Sequence, residues 1–274
     1  MELSGTEIAA LAGLLVLTGA IAGILAGLLG VGGGIVIVPV LFWVFEALDF
    51  PGETAMTVAV ATSLATIVPT SISSARAHRA KGNLDETLLR RWAPFMFAGA
   101  LVGGLLSFVL DGGDLRLVFG VIALVVALNM AIPGTLTLAA ALPPSRWVQG
   151  ALAGAIGVFS ALMGIGGGTL SVPILSLFSF ATHRAVGTAA AFGIVIAVPA
   201  VAGFIASGWS APLRPPFSLG YVNLVAAAII FPVTTLVAPL GARIAHALPA
   251  PQLKLAFALF LGLTALRMLW STLT

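Results

Sequence analysis

The chain has 274 residues, of which 60% are hydrophobic and 8% are charged, whereas soluble domains carry about 25% charged residues, so the composition excludes a soluble binding module and indicates an integral membrane protein. The formal net charge of +3 does not indicate a nucleic-acid partner, because the few basic residues lie between apolar stretches, where charge first reports membrane topology. The absence of cysteine excludes disulfides and thiolate metal sites.

The first half of the chain contains five apolar segments, and apolar runs of this kind predict membrane helices. The segments cover residues 8–28, 31–47, 54–75, 92–110 and 115–140. The second segment has about 17 residues, which as a helix span about 26 Å and fall short of a bilayer core of about 30 Å. We therefore expect this segment to be a short arm rather than a comfortable crossing.

A glycine cluster separates the first two segments. The run from Gly27 to Gly34 reads Gly-Leu-Leu-Gly-Val-Gly-Gly-Gly, and Pro39 follows five residues later. Glycine destabilises helices and, because it lacks a Cβ atom, permits positive φ and close backbone approach. The cluster therefore predicts a place where the backbone bends, approaches something closely or exposes its amides.

The second half of the chain repeats this organisation. Its apolar segments cover residues 147–163, 166–181, 185–207, 218–247 and 252–272. The glycine cluster returns 134 positions later, as Ala-Leu-Met-Gly-Ile-Gly-Gly-Gly from Ala161 to Gly168, and Pro173 follows five residues later. Further matching runs are residues 115–119 with 253–257 and residues 59–62 with 185–188. We interpret the chain as one membrane domain made of two copies of a module, residues 1–140 and 145–274.

The short segments beside each glycine cluster leave two arrangements open. Each pair is either a re-entrant hairpin that turns inside the membrane or two arms that span a thinned bilayer, and both return the chain to its original side. Three further crossings per module then give the second module the opposite orientation. The expected fold class is an all-α polytopic membrane protein with two inverted-topology repeats, each with three transmembrane helices and a glycine-tipped hairpin that is re-entrant or short.

Basic residues indicate the orientation in the membrane. With this parity nine of them lie on one side: Arg76, Arg79, Lys81, Arg90, Arg91, Arg146, Arg184, Arg243 and Lys254. Arg116, Arg214 and Arg267 lie on the other. The positive-inside rule assigns the side with nine to the cytoplasm. We therefore expect a multi-pass protein of the cytoplasmic (inner) membrane with both termini outside the cytoplasm.

Paired short or glycine-broken helices in inverted repeats are typical of secondary transporters, where they form the substrate site near the bilayer midplane. A helix that begins inside the membrane presents unpaired amides and the positive end of its dipole, which together hold an anion. Hairpins that enter from opposite faces can bring their tips together there. The predicted substrate-binding residues are Gly30, Gly32, Gly33, Gly34, Thr62, Ser63, Gly164, Gly166, Gly167, Gly168 and Thr188.

Each of these predictions has a structural alternative. Small residues pack helices closely in membranes, which is the alternative for the glycines. The hydroxyls of Thr62, Ser63 and Thr188 could instead bond another helix or the preceding turn. Three further hydroxyls flank the second glycine cluster and are weaker candidates: Ser160, Thr169 and Ser171.

Taken together, these features resemble the TauE/SafE family over nearly the whole chain. The resemblance rests on the two Gly-Xaa-Gly-Gly-Gly clusters each followed by proline, and on residues 59–64, 185–188, 220–223 and 239–243. It implies a permease of two duplicated three-helix modules and a substrate among sulfite, sulfoacetate and related organosulfur anions. The second module departs from the first in having Ala189 and Ala190 where Ser63 and Leu64 stand, so a serine contact there would be one-sided.

The expected function is that of a secondary-type permease that moves a small sulfur-containing oxyanion across the cytoplasmic membrane by alternating access. Two alternatives stay open: an anion channel, and a structural or partner subunit of a membrane enzyme. We expect neither enzyme activity nor a cofactor or metal, because the spans hold no paired-carboxylate, nucleophile–base or histidine–metal constellation. The expected partners are the anion and the lipid bilayer but no nucleic acid, and a homo-oligomer is compatible with the sequence.

Overall fold

The computed structural model describes residues 4–30, 32–132, 137–244 and 250–273. These residues are nearly all helical and form α1 (Gly5–Leu29), α2 (Gly34–Ala47), α3 (Gly52–Ala80), α4 (Glu86–Leu105), α5 (Gly112–Ala131), α6 (Arg146–Met163), α7 (Gly168–Leu177), α8 (Thr182–Ser207), α9 (Leu224–Ile244) and α10 (Ala250–Leu273). A 3₁₀ turn, Leu106–Phe108, extends α4, and the strands β1 (Ser218–Leu219) and β2 (Val222–Asn223) pair antiparallel.

Six helices of the described residues are long and apolar enough to cross a membrane: α1, α3, α4 with its 3₁₀ turn, α5, α8 and α9. The prediction of a polytopic helical membrane protein is therefore confirmed. Helices α2 and α7 are much shorter, with 14 and 10 residues. At 1.5 Å per residue they reach about 21 and 15 Å, well under a bilayer core of about 30 Å.

One predicted apolar segment ends earlier as a helix than expected, and another starts later. Helix α5 ends at Ala131 rather than near residue 140, because Ile132 adopts an extended conformation before Pro133, as steric contact with a proline ring favours. In the segment 218–247, the first six residues form the β1–β2 hairpin, which turns at Gly220 with φ of 57°. Helix α9 starts only after this hairpin.

Helices α3 and α8 form the centre of the molecule. In their most apolar 18-residue windows, 78% of α3 and 61% of α8 is buried, against 28–39% for α1, α4, α5 and α9. The two central helices run antiparallel, since Gly193 of α8 packs on Ser71 of α3 and Gly187 packs on Asn83 just beyond it. The less buried helices surround this pair and present their apolar residues outward, as a lipid environment favours.

Contacts between the helices come in matching pairs. Helix α1 packs along α9, and α4 packs along α6; α3 contacts α9, and α8 contacts α4; α5 packs on α10. Small residues allow close backbone approach at these contacts. Gly23 of α1 packs on Thr234 of α9, and Gly157 of α6 packs on Met96 of α4.

Candidate functional site

The two glycine clusters lie in direct contact. A Cβ atom built on Gly32 would lie 3.1 Å from the Cα atom of Gly166, and one built on Gly34 would meet the carbonyl oxygen of Gly164. All four residues are buried. The two hairpin turns thus form one structural unit, residues 30, 32–34 and 164–168, which we call the glycine junction.

The backbone conformation differs between the two clusters. Gly32, Gly33 and Gly164 have φ of 72°, 79° and 68°, in the left-handed region where glycine is strongly favoured. Gly167 has φ of −57°, an ordinary helical value. Here glycine supplies space instead, because a Cβ atom would lie 2.6 Å from the Cβ atom of Phe192.

Each cluster packs against the central helix of the other half. Gly30, at the end of α1, lies against the carbonyl oxygen of Val186 on α8. A Cβ atom on Gly164, at the end of α6, would lie 2.8 Å from the Cα atom of Val60 on α3. Ile67, near the middle of α3, contacts the first cluster. The glycine junction therefore lies beside the central part of α3 and the first half of α8.

Two helices begin at the glycine junction, α2 and α7. In α2 the amide of Ile37 donates to the carbonyl of Gly33 at 3.2 Å, and in α7 the amide of Ser171 donates to the carbonyl of Gly167 at 2.9 Å. In α2 the amide of Val36 also donates to the carbonyl of Gly33, at 3.1 Å. The other early amides of each first turn have no intrahelical acceptor at i−4, and they carry the positive end of the helix dipole. This arrangement suits a small anion.

The predicted hydroxyls of the first module are engaged with the second. Ser63 donates a 2.7 Å hydrogen bond to the carbonyl oxygen of Gly164. The hydroxyl oxygen of Thr62 accepts one of 2.9 Å from the amide of Asn223. Asn223 also caps α9, because its side-chain oxygen accepts from the amide of Ala226 at 2.9 Å. Thr62 therefore holds the beginning of α9 rather than pointing at the junction with a free hydroxyl.

Thr188 has the corresponding role at α4. Its hydroxyl accepts a 2.9 Å hydrogen bond from the amide of Asp85 and donates one of 2.7 Å to the carbonyl of Arg184. Asp85 caps α4 by accepting from the amide of Leu88 at 2.9 Å, and its carboxylate pairs with Arg184 at 2.7 Å. Because Asp85 and Thr188 are 103 positions apart in the chain, no local sequence pattern identifies this pair.

Three hydroxyls beside the second cluster have no hydrogen-bond partner in the part of the chain that the structure describes: those of Ser160, Thr169 and Ser171. Their side chains belong to residues that are 0%, 2% and 0% exposed. These were the weaker sequence candidates, yet their hydroxyls are the ones left without a protein partner, while those of Thr62, Ser63 and Thr188 are bonded.

Arg116 was interpreted from sequence as a charge flanking a span, but it is buried, with 9% exposure. Its guanidinium lies 4.7 Å from the ring centroid of Phe42 on α2 and donates a 3.0 Å hydrogen bond to the carbonyl of Ser271. It borders an open cavity of about 470 Å³ whose other charged residues are acidic: Glu53, Asp111 and Asp114. This acidic surrounding does not favour an anion, so the cavity is a weaker candidate for the substrate site than the glycine junction.

No group of three or more histidine, aspartate or glutamate side chains within the described ranges could hold a metal ion. The groups that the glycine junction and its flanking residues offer are neutral donors, namely backbone amides and hydroxyls. Neutral donors can bind an anion without placing an ionised side chain in the bilayer, which is costly.

Comparison with known proteins places the chain in a family. The family model described as sulfite exporter TauE/SafE matches residues 15–268. A probable membrane transporter protein of Haemophilus influenzae is 37% identical over 258 residues, which cover 93% of this chain and 97% of that protein. Another from Methanocaldococcus jannaschii is 28% identical over 93% of this chain and 94% of its own length. No solved structure matches the chain.

The family match spans nearly all of the membrane helices, including both glycine clusters. It confirms the resemblance inferred from the glycine clusters and their flanking runs. Together with the six membrane-length helices, it establishes that the chain belongs to the TauE/SafE family and is a polytopic membrane transporter.

Proposed function

We propose that the protein carries a small sulfur-containing oxyanion, such as sulfite, sulfoacetate or a related organosulfonate, across the cytoplasmic membrane by alternating access. The observation that carries this proposal is the direct contact between the two glycine clusters, Gly32 against Gly166 and Gly34 against Gly164. Two helix N-termini meet there, beside the central helices. Of the site proposed from the sequence, we retain the glycines as the anion site, namely Gly30, Gly32 to Gly34, Gly164 and Gly166 to Gly168, whereas Thr62, Ser63 and Thr188 are engaged in hydrogen bonds between the modules.

The lengths of the two arms that follow the glycine clusters support re-entrant hairpins, whereas the preceding arm α1, with 25 residues, is long enough to cross. Helices α2 and α7 have 14 and 10 residues, too few to cross a bilayer core of about 30 Å. Each would instead lead from the midplane back to the side from which its hairpin entered. The N-termini of α2 and α7 would then lie inside the membrane, where water competes least for an anion.

The paired helix contacts support two inverted modules, residues 1–140 and 145–274. The contact of Gly23 with Thr234 corresponds to the contact of Gly157 with Met96. Gly157 lies 134 positions after Gly23, and Thr234 lies 138 positions after Met96, which are the offsets of the repeat. The central pair, α3 and α8, are counterparts in the two modules and run antiparallel. Counterparts of opposite direction are what an inverted repeat requires.

The distribution of charge supports the proposed orientation. Arg184 pairs with Asp85, and Lys81 donates a 3.0 Å hydrogen bond to the carbonyl of Ala242. These contacts bring the end of α3 and the end of α9 together with the starts of α4 and α8. Basic residues cluster at this end, which we assign to the cytoplasm, and both termini then lie outside.

Alternating access requires contacts between modules that can be exchanged, and three hydrogen bonds are suited to this role. Ser63 to Gly164, Asn223 to Thr62 and Asp85 to Thr188 each join one module to the other. The last two lie toward opposite ends of the molecule, since one fixes the start of α9 and the other the start of α4. We propose that the two ends open in turn as these contacts break.

The experiment that tests the proposed function is anion binding by the purified chain. A ligand that binds only the folded state raises the thermal unfolding midpoint, so sulfite, sulfate, thiosulfate, sulfoacetate and taurine are each added to the protein, with chloride as the control. We expect a concentration-dependent rise with at least one sulfur oxyanion. The absence of a rise with all of them would refute the substrate assignment.

Flux measurements on the protein in liposomes test the carrier mechanism. We expect uptake of the bound anion to saturate and to show counterflow, because a carrier exposes its site to one side at a time. Conductance near diffusion rates would instead identify an anion channel.

A further inference from the structure

We propose that the anion site is one-sided: the second glycine cluster supplies the hydroxyl donors, through Ser160, Thr169 and Ser171, and the first cluster supplies an apolar wall. The inference rests on the proposed function, because it concerns the same site. It adds the side chains that bind the anion and the class of oxyanion that they select.

The hydroxyls of Ser160, Thr169 and Ser171 are buried and have no hydrogen-bond partner among the described residues. A buried donor without an acceptor destabilises the folded state, so buried polar groups are nearly always paired. These three donors flank one short loop, and we infer that a bound molecule accepts their hydrogen bonds.

Other buried hydroxyls of the spans show what these three could have done. Thr18 donates to the carbonyl of Leu14, and Thr70 donates to the carbonyl of Thr66, each at 2.7 Å and four residues back along its own helix. This local bond is the ordinary solution in membrane helices. Of the remaining unpartnered hydroxyls among the described residues, Ser71 and Thr235 lie on α3 and α9, outside the glycine clusters.

The three hydroxyls bracket the start of α7. Ser160 lies in the last turn of α6, and Thr169 and Ser171 lie in the first turn of α7. The amide of Ile165 donates to the carbonyl of Ser160 at 3.0 Å, and Ile165 itself packs against Gly34 of the first cluster. The residues that carry the hydroxyls therefore flank the turn that contacts the opposite cluster, and two of them belong to the first turn of α7, whose earlier amides have no intrahelical acceptor four residues back.

The corresponding positions in the first half carry no hydroxyl. At an offset of 134, Ser160, Thr169 and Ser171 correspond to Ala26, Ile35 and Ile37. All three of these side chains are buried, with at most 1% exposure. At these three positions the second module is thus polar and the first module apolar.

A one-sided donor set selects among sulfur oxyanions. Sulfite and sulfonates carry three oxygens on one side of sulfur and a lone pair or a carbon on the other, whereas sulfate carries oxygens on all sides. A sulfate bound here would leave an oxygen against apolar side chains without a donor, and an unpaired polar group weakens binding strongly. We therefore expect methanesulfonate and sulfite to bind about tenfold or more tightly than sulfate.

Calorimetric titration of the purified full-length chain with methanesulfonate, sulfite and sulfate tests this inference. The triple variant Ser160→Ala, Thr169→Val and Ser171→Ala should bind methanesulfonate about tenfold or more weakly than the wild-type chain. Its unfolding midpoint without anion should be unchanged or higher, because unpaired donors are removed. The variant Thr169→Ser keeps a hydroxyl and should retain most of the affinity, and Thr18→Val is a matched control on α1.

The outcomes separate the two proposals. Unchanged methanesulfonate affinity in the triple variant, or equal wild-type affinity for sulfate and methanesulfonate, overturns the one-sided site but leaves the proposed function standing. Failure of the wild-type chain to bind any sulfur oxyanion overturns the proposed function itself. If the triple variant does not fold, the single variants Thr169→Val and Ser171→Ala are compared with Thr169→Ser, and equal affinities among them overturn the inference.

Discussion

The hydroxyl of Ser63 donates a 2.7 Å hydrogen bond to the carbonyl oxygen of Gly164, 101 residues later in the chain. Both residues are buried. A Cβ atom on Gly34 would clash with the same oxygen. The hydrogen bond thus joins the central helix α3 to the end of α6, and the start of α2 packs against both at the glycine junction.

Replacing Ser63 with alanine should destabilise the fold by about 1–3 kcal/mol, because a buried carbonyl oxygen loses its donor. We expect a lower thermal unfolding midpoint of the purified protein and slower anion uptake. The matched control is Thr57→Val on the same helix, whose hydroxyl only bonds the carbonyl of Glu53 in the preceding turn. Equal midpoints for the two variants would contradict a junction role for Ser63.

Leucine at Gly33 or at Gly167 should abolish transport while leaving the protein in the membrane. At Gly33 the side chain meets both a φ of 79° and the carbonyl oxygen of Ala22, 2.8 Å from the Cβ position; at Gly167 it meets Phe192. Gly13→Leu is the control, because no atom lies within 4 Å of its Cβ position. Uptake at the wild-type rate by either junction variant would show that the glycine clusters do not bind the substrate, and would favour the alternative that they only pack helices.

Asp85 offers a test that separates helix capping from ion pairing. Asp85→Asn removes the charge facing Arg184 but keeps a capping oxygen, and Arg184 is largely exposed, so we expect a change of at most about 1 kcal/mol. Asp85→Ala also removes the cap of α4 and should cost about 0.5–2 kcal/mol more. Unfolding midpoints of the two variants measure this difference, and a larger loss for Asp85→Asn would make the ion pair the dominant contact.

The two arginines stacked on α2 should differ in their contribution to stability. Arg116 is buried over Phe42 at 4.7 Å, whereas Arg267 is exposed over Trp43 at 4.5 Å. Cation–π contacts contribute about 0.5–1 kcal/mol when exposed and about 2 or more when desolvated. We expect Arg116→Ala to lower the unfolding midpoint more than Arg267→Ala. The reverse order would show that burial does not govern these contacts.

Membrane orientation can be measured by labelling single cysteines, since the chain has none of its own. We expect Val109→Cys and Trp209→Cys to react with an impermeant thiol reagent from outside, and Trp147→Cys to react only after permeabilisation. These three side chains are 82%, 64% and 82% exposed. Labelling of Trp147→Cys in intact cells would overturn the proposed orientation.

The amino-acid sequence by itself determined the membrane class, the family and the two glycine clusters as the candidate functional segments. Hydropathy and low charge act over tens of residues and need no knowledge of tertiary contacts. The glycine clusters could be found because they recur at a fixed spacing. The shortness of the helices after them could be anticipated from the lengths of the apolar segments, although α7 is shorter still, with 10 residues.

The tertiary structure decided which polar groups are engaged and which are left over. Thr62 and Thr188 bond the capping residues Asn223 and Asp85 of the opposite half, and no local pattern identifies a partner more than 100 residues away. The burial of Arg116 arises in the same way, from helices distant in sequence. Hydrogen-bond partners of buried groups depend on three-dimensional packing, so only the folded chain distinguishes a hydroxyl that is bonded from one that has no protein partner.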